Sequence, residues 1–142
     1  MVYIISELCG QWGGSIRRAE QMILQSKIGG ADAVKVQLYD TYRMPGENRA
    51  QWEYLNIDRD TFVRLKNYAE SLNLDFFASA FHQDMYELIK KEGIKINKIA
   101  SISLTESFKS LSDRMIKDQS FTRNYISLGK WNKTNLPYKH EE

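Results

Sequence analysis

This sequence predicts an α/β chain built around a parallel sheet. Runs rich in β-branched and aromatic residues alternate with runs of helical periodicity, strand then helix four times over, and the series closes on a strand. A chain of 142 residues has room for one domain with a real core and for no second domain of ordinary size. Its composition, 42% hydrophobic and 27% charged with two prolines, is that of a compact globular protein.

The elements follow in order. Residues 2–8, VYIISEL, form a β-rich run. Ser15 then opens a helix in which Ile16, Ala19 and Ile23 recur at helical spacing, and Gly29 and Gly30 supply its stop. Residues 33–39 carry the second strand. A long polar stretch from Asp40 to about Asn56, containing Pro45 and Gly46, follows it, and loops of that length are often functional. Asp58 is placed to cap a helix whose residues Phe62, Leu65, Ala69 and Leu72 share one face, ahead of a strand at 74–79. Met85, Leu88 and Ile89 mark a third helix ended by Gly93, a fourth strand lies near 95–101, and Phe108, Leu111 and Met115 mark a fourth helix. The fifth strand is expected at 124–129, and the tail 132–142 is polar and aperiodic.

Charge and cysteine usage exclude several classes. Twenty basic residues stand against eighteen acidic ones, a net charge of +2, and no basic stripe is interleaved with aromatics, so nucleic acid is not an expected partner. The first residues show no positively charged segment followed by a long apolar run, and no eighteen apolar residues occur together, so neither a signal peptide nor a membrane span is expected. The single cysteine, Cys9, cannot form an internal disulfide and fits a cytoplasmic location. Without an evident base partner, it reads as a small buried hydrophobe rather than a nucleophile.

Two architectures accept five such strands. A doubly wound, flavodoxin-like sheet is complete at about 100 to 150 residues, whereas a (β/α)₈ barrel needs about 250. The position of the polar residues separates them. Strands covered by helices on both faces should be almost wholly apolar. In AVKVQLY, however, Val34, Val36 and Leu38 share one face while Lys35 and Gln37 share the other. Glu7, Ser79, Lys98 with Ser101, and Ser127 likewise put polar groups toward the ends of the other four strands, which in a barrel is the active-site rim. The expected fold is therefore a partial (β/α)₈ barrel with about five parallel strands and four helices over residues 1–131. Each polar residue alone has a plainer explanation: a strand-end serine usually caps a helix, Lys35 can snorkel from an edge, and Glu7 and Lys35 can simply pair.

Together and in order, the runs IISELCGQWGGSIRRAEQMI, GGADAVKVQLYD, LDFFASAF, NKIAS and YISLG resemble the N-terminal barrel of the N-acetylneuraminate (sialic acid) synthases, with their legionaminate and pseudaminate relatives. The specific signal is G-A-D-A-V-K-x-Q combined with K-I-A-S. The resemblance covers residues 3 to 131 and implies condensation of phosphoenolpyruvate with an open-chain N-acyl amino sugar, with release of phosphate. It implies that Lys35, Ser79 and Lys98 hold the phosphoenolpyruvate carboxylate, that Ser101 and Ser127 donate to its phosphate, and that Glu7 and Gln37 face the sugar, with Glu7 and Lys98 the catalytic pair. Two ammonium groups suit so highly charged an anion.

The departures from the family pattern carry expectations of their own. Where K-I-A-S-G-E ends on an acid/base glutamate, this chain has Ser103, whose hydroxyl cannot do a carboxyl's proton transfer near neutral pH. Glu106 lies three residues on, where a first-turn helix charge is the simpler reading. The N-H-N-G segment is replaced by Gln11, Trp12, Gly13 and Gly14, so the turn glycine stays and the histidine is gone. The family's divalent metal, Mn or Mg, is held by histidines of later strands; this chain has only His82 and His140, which do not make a metal site. A five-strand half-barrel is expected to expose edges, and so to form a homo-oligomer, an insoluble product or a flat sheet rearranged to cover itself, unless the missing C-terminal half is supplied. Three activities stay open: a synthase half active with its complement, an anion-binding half-barrel without turnover, and an inert fragment.

Overall fold

The computed structural model describes residues 2–38, 40–44 and 50–131. The polar tail and residues 45–49, with Pro45, Gly46 and Asn48, lie outside the described residues. Five strands, β1 (Ile5–Glu7), β2 (Ala33–Leu38), β3 (Asp75–Ala80), β4 (Ile96–Ile99) and β5 (Arg123–Ile126), form one sheet in the order β1-β2-β3-β4-β5. Every neighbouring pair is parallel. The helices α1 (Ile16–Ile28), α2 (Arg59–Ser71), α3 (Gln83–Lys91) and α4 (Lys109–Lys117) occupy the four crossovers. This sequential order is that of a half-barrel and overturns the flavodoxin-like alternative, in which the order would be 2-1-3-4-5 with a reversal at the sheet centre.

Local chemistry accounts for the helix starts. Ser15 has extended backbone and its hydroxyl accepts the Arg18 N–H at 3.3 Å, while the Asp58 carboxylate accepts that of Thr61 at 2.8 Å. Each satisfies an amide that the first helical turn leaves without a carbonyl. The helix faces bury Ala19 and Ile23 of α1, Phe62, Leu65 and Ala69 of α2, Tyr86 and Ile89 of α3, and Met115 of α4. They pack against the sheet face carrying Val34, Val36, Leu38, Phe76, Ala78, Ala80 and Ile99. That single layer of helix on sheet is the main core. Asn97, on the same face of β4, is buried. Its side-chain amide donates to the Met115 carbonyl at 3.1 Å and to Asn124 Oδ1 at 2.9 Å, tying α4 to two strands.

The strands are shorter than the sequence suggests. β1 covers three residues of the seven expected, β4 ends at Ile99, and Ser101 opens a 3₁₀ helix, Ser101–Leu104. Ser127 lies one residue beyond β5, although its N–H still donates to the Ile99 carbonyl at 3.0 Å. The stretch expected to be a loop from Asp40 to Asn56 contains a 3₁₀ helix at Ala50–Leu55. That helix rests on the turn after β1, where Gly14 has φ +76° and a Cβ would come within 2.6 Å of the Tyr54 carbonyl. Only glycine fits there, so the glycine of the Gln11–Gly14 segment serves packing as well as turning. Trp12, beside it, is buried in the core.

The sheet curls, so its two outermost strands approach across the concave face. The Arg123 guanidinium lies 4.5 Å over the ring of Tyr3, just before β1, and the Tyr3 hydroxyl donates to the Asp75 carboxylate. Arg123 also donates to the Tyr125 hydroxyl at 3.3 Å. Burial and the neighbouring Asp75 carboxylate push the Tyr3 phenol well above its ordinary range. This polar-aromatic cluster floors the concave face toward the strands' N-terminal ends.

Candidate functional site

Alternation along the strands decides what reaches the concave face. Glu7 on β1, Lys35 and Gln37 on β2, Phe77 and Ser79 on β3, Lys98 on β4 and Tyr125 on β5 all have the parity opposite to the helix-facing residues. Register aligns them in two rows. Glu7 lies opposite Lys35; one step nearer the rim, Gln37 lies opposite Ser79, Ser79 opposite Lys98, and Lys98 opposite Tyr125.

Between these rows is a hollow of about 290 Å³, lined by Ile5, Glu7, Lys35, Phe77, Lys98, Tyr125, Ile126 and Ser127. Four of the predicted site residues, Glu7, Lys35, Lys98 and Ser127, therefore meet in one place. Gln37, Ser79 and Ser101 are not among its walls. Ser79 is 1% exposed, and Ser101 sits in the 3₁₀ helix with its side chain toward Gly129, whose Cβ position is 3.7 Å from the Ser101 hydroxyl. Sequence reasoning missed Phe77 and Tyr125, whose rings stack with centroids 6.1 Å apart as the apolar wall. Their strand parity with Ser79 and Ser127 was the available signal.

The charged groups are held in place. The Glu7 carboxylate takes the Lys35 ammonium on one oxygen and the Cys9 N–H, at 3.0 Å, on the other. Lys35 is 4% exposed, so its charge would be costly without that partner. Cys9 holds φ +44° in this turn and is partly exposed rather than buried, a correction to the reading of it as a core hydrophobe. The Lys98 amine donates to the Ser127 hydroxyl at 2.7 Å and to the Ile99 carbonyl at 2.8 Å. Burial first, and the Lys35 charge second, lower its pKa to about 8, with Glu7 acting in the opposite sense. The two amines thus share one electrostatic environment on one side of the sheet.

The departures also resolve in space. Ser103 is buried at 4% exposure against α4, with its carbonyl accepting from the Ser112 hydroxyl and its own hydroxyl unpartnered. Glu106 is exposed in the turn before α4, and the first turn of that helix carries no acidic residue, which corrects the reading of Glu106 as a first-turn helix charge. Arg43 does not face the hollow: its guanidinium forks onto Asp84 at 2.8 and 2.9 Å and reaches Asp40 at 3.1 Å, tying the segment after β2 to α3. Tyr54 is exposed beside Trp52. A larger cavity of about 600 Å³ lies between the starts of α3 and α4, lined by Arg43, His82, Phe108 and Arg114 among others, and holds none of the predicted site residues. His82 there has a buried Nε2 with no partner, and burial, then Arg43, lowers its pKa. Among the described residues no three His, Cys, Asp or Glu side chains gather where they could hold a metal ion. No helix among them is long and apolar enough to cross a membrane.

The model of the NeuB family matches residues 22–117. The chain belongs to the NeuB family. That match includes Lys35, Gln37, Ser79, Lys98 and Ser101, whereas Glu7 and Ser127 lie outside it. Among curated proteins, this NeuB chain is 28% identical over 118 residues to an uncharacterised protein of Methanocaldococcus jannaschii, covering 81% of the chain and 34% of the relative. It is 29% identical over 122 residues to the N-acetylneuraminate-9-phosphate synthase of Drosophila melanogaster, covering 70% and 31%. It spans about a third of the length of these relatives. Among solved structures, the N-acetylneuraminic acid (sialic acid) synthetase of Leptospira borgpetersenii in complex with citrate superposes with a TM-score of 0.72 at 22% identity, over 88% of the NeuB chain and 53% of the other. A putative spore coat polysaccharide biosynthesis protein E from Chromobacterium violaceum gives 0.70 at 18% identity, over 89% and 40%. At those identities the superpositions establish the fold.

Proposed function

We propose that this chain provides the phosphoenolpyruvate-binding wall of a nonulosonic-acid synthase, acting in the cytoplasm in sugar biosynthesis. The observation that carries this reading is the convergence of Lys35 and Lys98 on one hollow at the rim of the parallel sheet, with Glu7 and Ser127 completing its polar side. An enol phosphate bearing a carboxylate is a small, multiply charged anion, and two fixed amines with an adjacent hydroxyl are matched to it. Binding the anion between them draws Lys98 toward its charged form, because the incoming negative charge offsets the repulsion from Lys35. Phe77 and Tyr125 form the apolar wall against which the three-carbon unit rests, and Glu7, ordered by Lys35 and the Cys9 amide, presents a carboxylate to the hydroxyls of an N-acyl amino sugar. In this arrangement catalysis is positioning and electrostatics, without a covalent enzyme intermediate. Gln37, Ser79 and Ser101 would act from the second row and the rim.

One observation favours a narrower reading. Ser103 carries no carboxyl and its side chain is packed beneath α4, so the wall holds the anion without an acid/base group at that position. For the 142-residue chain we expect binding without turnover. Phosphoenolpyruvate is expected to raise the melting temperature in a manner lost in Lys35→Met, with no phosphate released on adding N-acetylmannosamine and manganese. Phosphate release would instead establish a synthase; absence of any shift would remove the anion site.

A further inference from the structure

We propose that Lys98 is a nucleophilic amine that condenses reversibly with the carbonyl of a small 2-oxo acid, so that this hollow also forms an imine. The inference rests on the same site as the proposed anion binding and adds covalent chemistry to it.

Geometry carries it. Lys98 lines an open hollow of about 290 Å³, with room for a small 2-oxo acid, and its amine is bonded to Ser127, another residue of the same hollow. It is oriented by the Ser127 hydroxyl at 2.7 Å and the Ile99 carbonyl at 2.8 Å. Lys35, on the same hollow and held by Glu7, supplies a second cation, and the stacked rings of Phe77 and Tyr125 give the hollow an apolar side. A lysine beside a second cation and partly withdrawn from water is the arrangement that yields a free amine near neutral pH. The charged groups of this hollow are Glu7 from β1 and Lys35 from β2, while β5 contributes the titratable Tyr125. β3 contributes the apolar Phe77 to the hollow and, beside Lys98 in register, the hydroxyl of Ser79.

The step balances without any further reactant. The Nζ lone pair attacks the carbonyl carbon and forms a C–N bond, and the carbonyl oxygen takes up both amine protons in turn. The C–O bond then breaks, water leaves and C=N remains. The Ser127 hydroxyl lies within reach to relay a proton at Nζ, and Glu7 supplies a carboxylate on the same hollow.

The test uses the whole chain with pyruvate as probe and sodium cyanoborohydride to reduce any imine to a stable secondary amine, followed by peptide mapping. At neutral pH, labelling at Lys98 is expected to exceed that at the exposed Lys91, Lys95 and Lys117 by roughly tenfold or more, because an amine beside a second cation and partly withdrawn from water carries a larger free-amine fraction. The excess should vanish in urea, a comparison that needs no variant. The labelling rate should rise with pH around an inflection near 8, and in Lys35→Met that inflection should move upward. Labelling spread evenly over the lysines, folded or unfolded, would overturn the proposal, as would an inflection at the ordinary lysine value. Phosphoenolpyruvate, which has no free carbonyl, separates the two readings. Protection of Lys98 supports both. Labelling without protection sustains the imine and counts against phosphoenolpyruvate binding. A thermal shift with phosphoenolpyruvate but no selective label sustains binding and sinks the imine.

Discussion

Lys98 has two roles that oppose each other. Its folded pKa of about 8 lies below that of a free lysine, so the unfolded chain binds the proton more tightly than the native one. Stability from this residue is therefore fully present above the unfolded value, near 10.4, and is lost as pH falls through about 8. Lys98→Met is accordingly expected to stabilise the chain at pH 7, by on the order of 1 kcal/mol after allowing for solvent screening, with the gain shrinking as pH rises from about 8 and gone above about 10.4. Urea denaturation of both proteins across that range measures the difference, and a Met variant that is less stable at pH 7 contradicts the assigned shift. Ser103 gives the opposite case. Ser103→Glu restores the family's letter but places a carboxylate under α4, where burial of an unpaired charge is expected to cost more than ~2 kcal/mol and to give no phosphate release. Recovery of turnover at undiminished stability would show that this position opens to the hollow.

At the level of the element, α2 begins at Arg59 because the Asp58 carboxylate takes the Thr61 amide, an interaction that also holds the Asp58 carboxyl below its ordinary range. Asp58→Ala should cost about 1 kcal/mol at pH 7. A lowered folded pKa means that this contribution is present above the unfolded value and disappears as pH falls through the folded one, so the two proteins should converge in acid. A constant gap down to low pH would assign the effect to something other than the charged cap. Such caps, like Ser15 and the apolar spacing of Phe62, Leu65 and Ala69, were legible in the sequence because they depend on residues three or four apart. Strand ends were not. Whether Ser127 belongs to β5 depends on how far Ile99 of the neighbouring strand continues, and no local pattern encodes that. The 3₁₀ helix at Ala50–Leu55 escaped for a similar reason: its seat is the Gly10–Gly14 turn, which is distant in sequence.

At the scale of the whole molecule, five strands in sequential order leave β1 and β5 each with an edge that no other strand among the described residues pairs. Val2 and Ile4 beside β1 are 81% and 50% exposed, and Ile28 at the end of α1 is 69% exposed. Unpaired edges flanked by apolar side chains favour association. We expect the chain to sediment as an oligomer at micromolar concentration, and substitution of Val2 and Ile4 by lysine to shift it toward monomer; a monomeric parent would refute this. The half-barrel and the shared hollow were legible because Lys35 and Gln37 interrupt an otherwise apolar strand at period two. What the sequence concealed was the floor beneath them. Tyr3, Asp75 and Arg123 are far apart in the sequence, and their partnership exists only once the sheet has curled.

That floor ties the start of the described chain to its last strand, so the contact cannot form until nearly all of the sheet has been made. During synthesis, the first three strands and their helices can collect on their common core while the concave side stays unfinished, and the final docking of Arg123 onto Tyr3 should follow as a separate, slower event. A growing polypeptide that stalled before Arg123 would leave Tyr3 without the guanidinium that covers its ring and the concave side of the sheet unfinished.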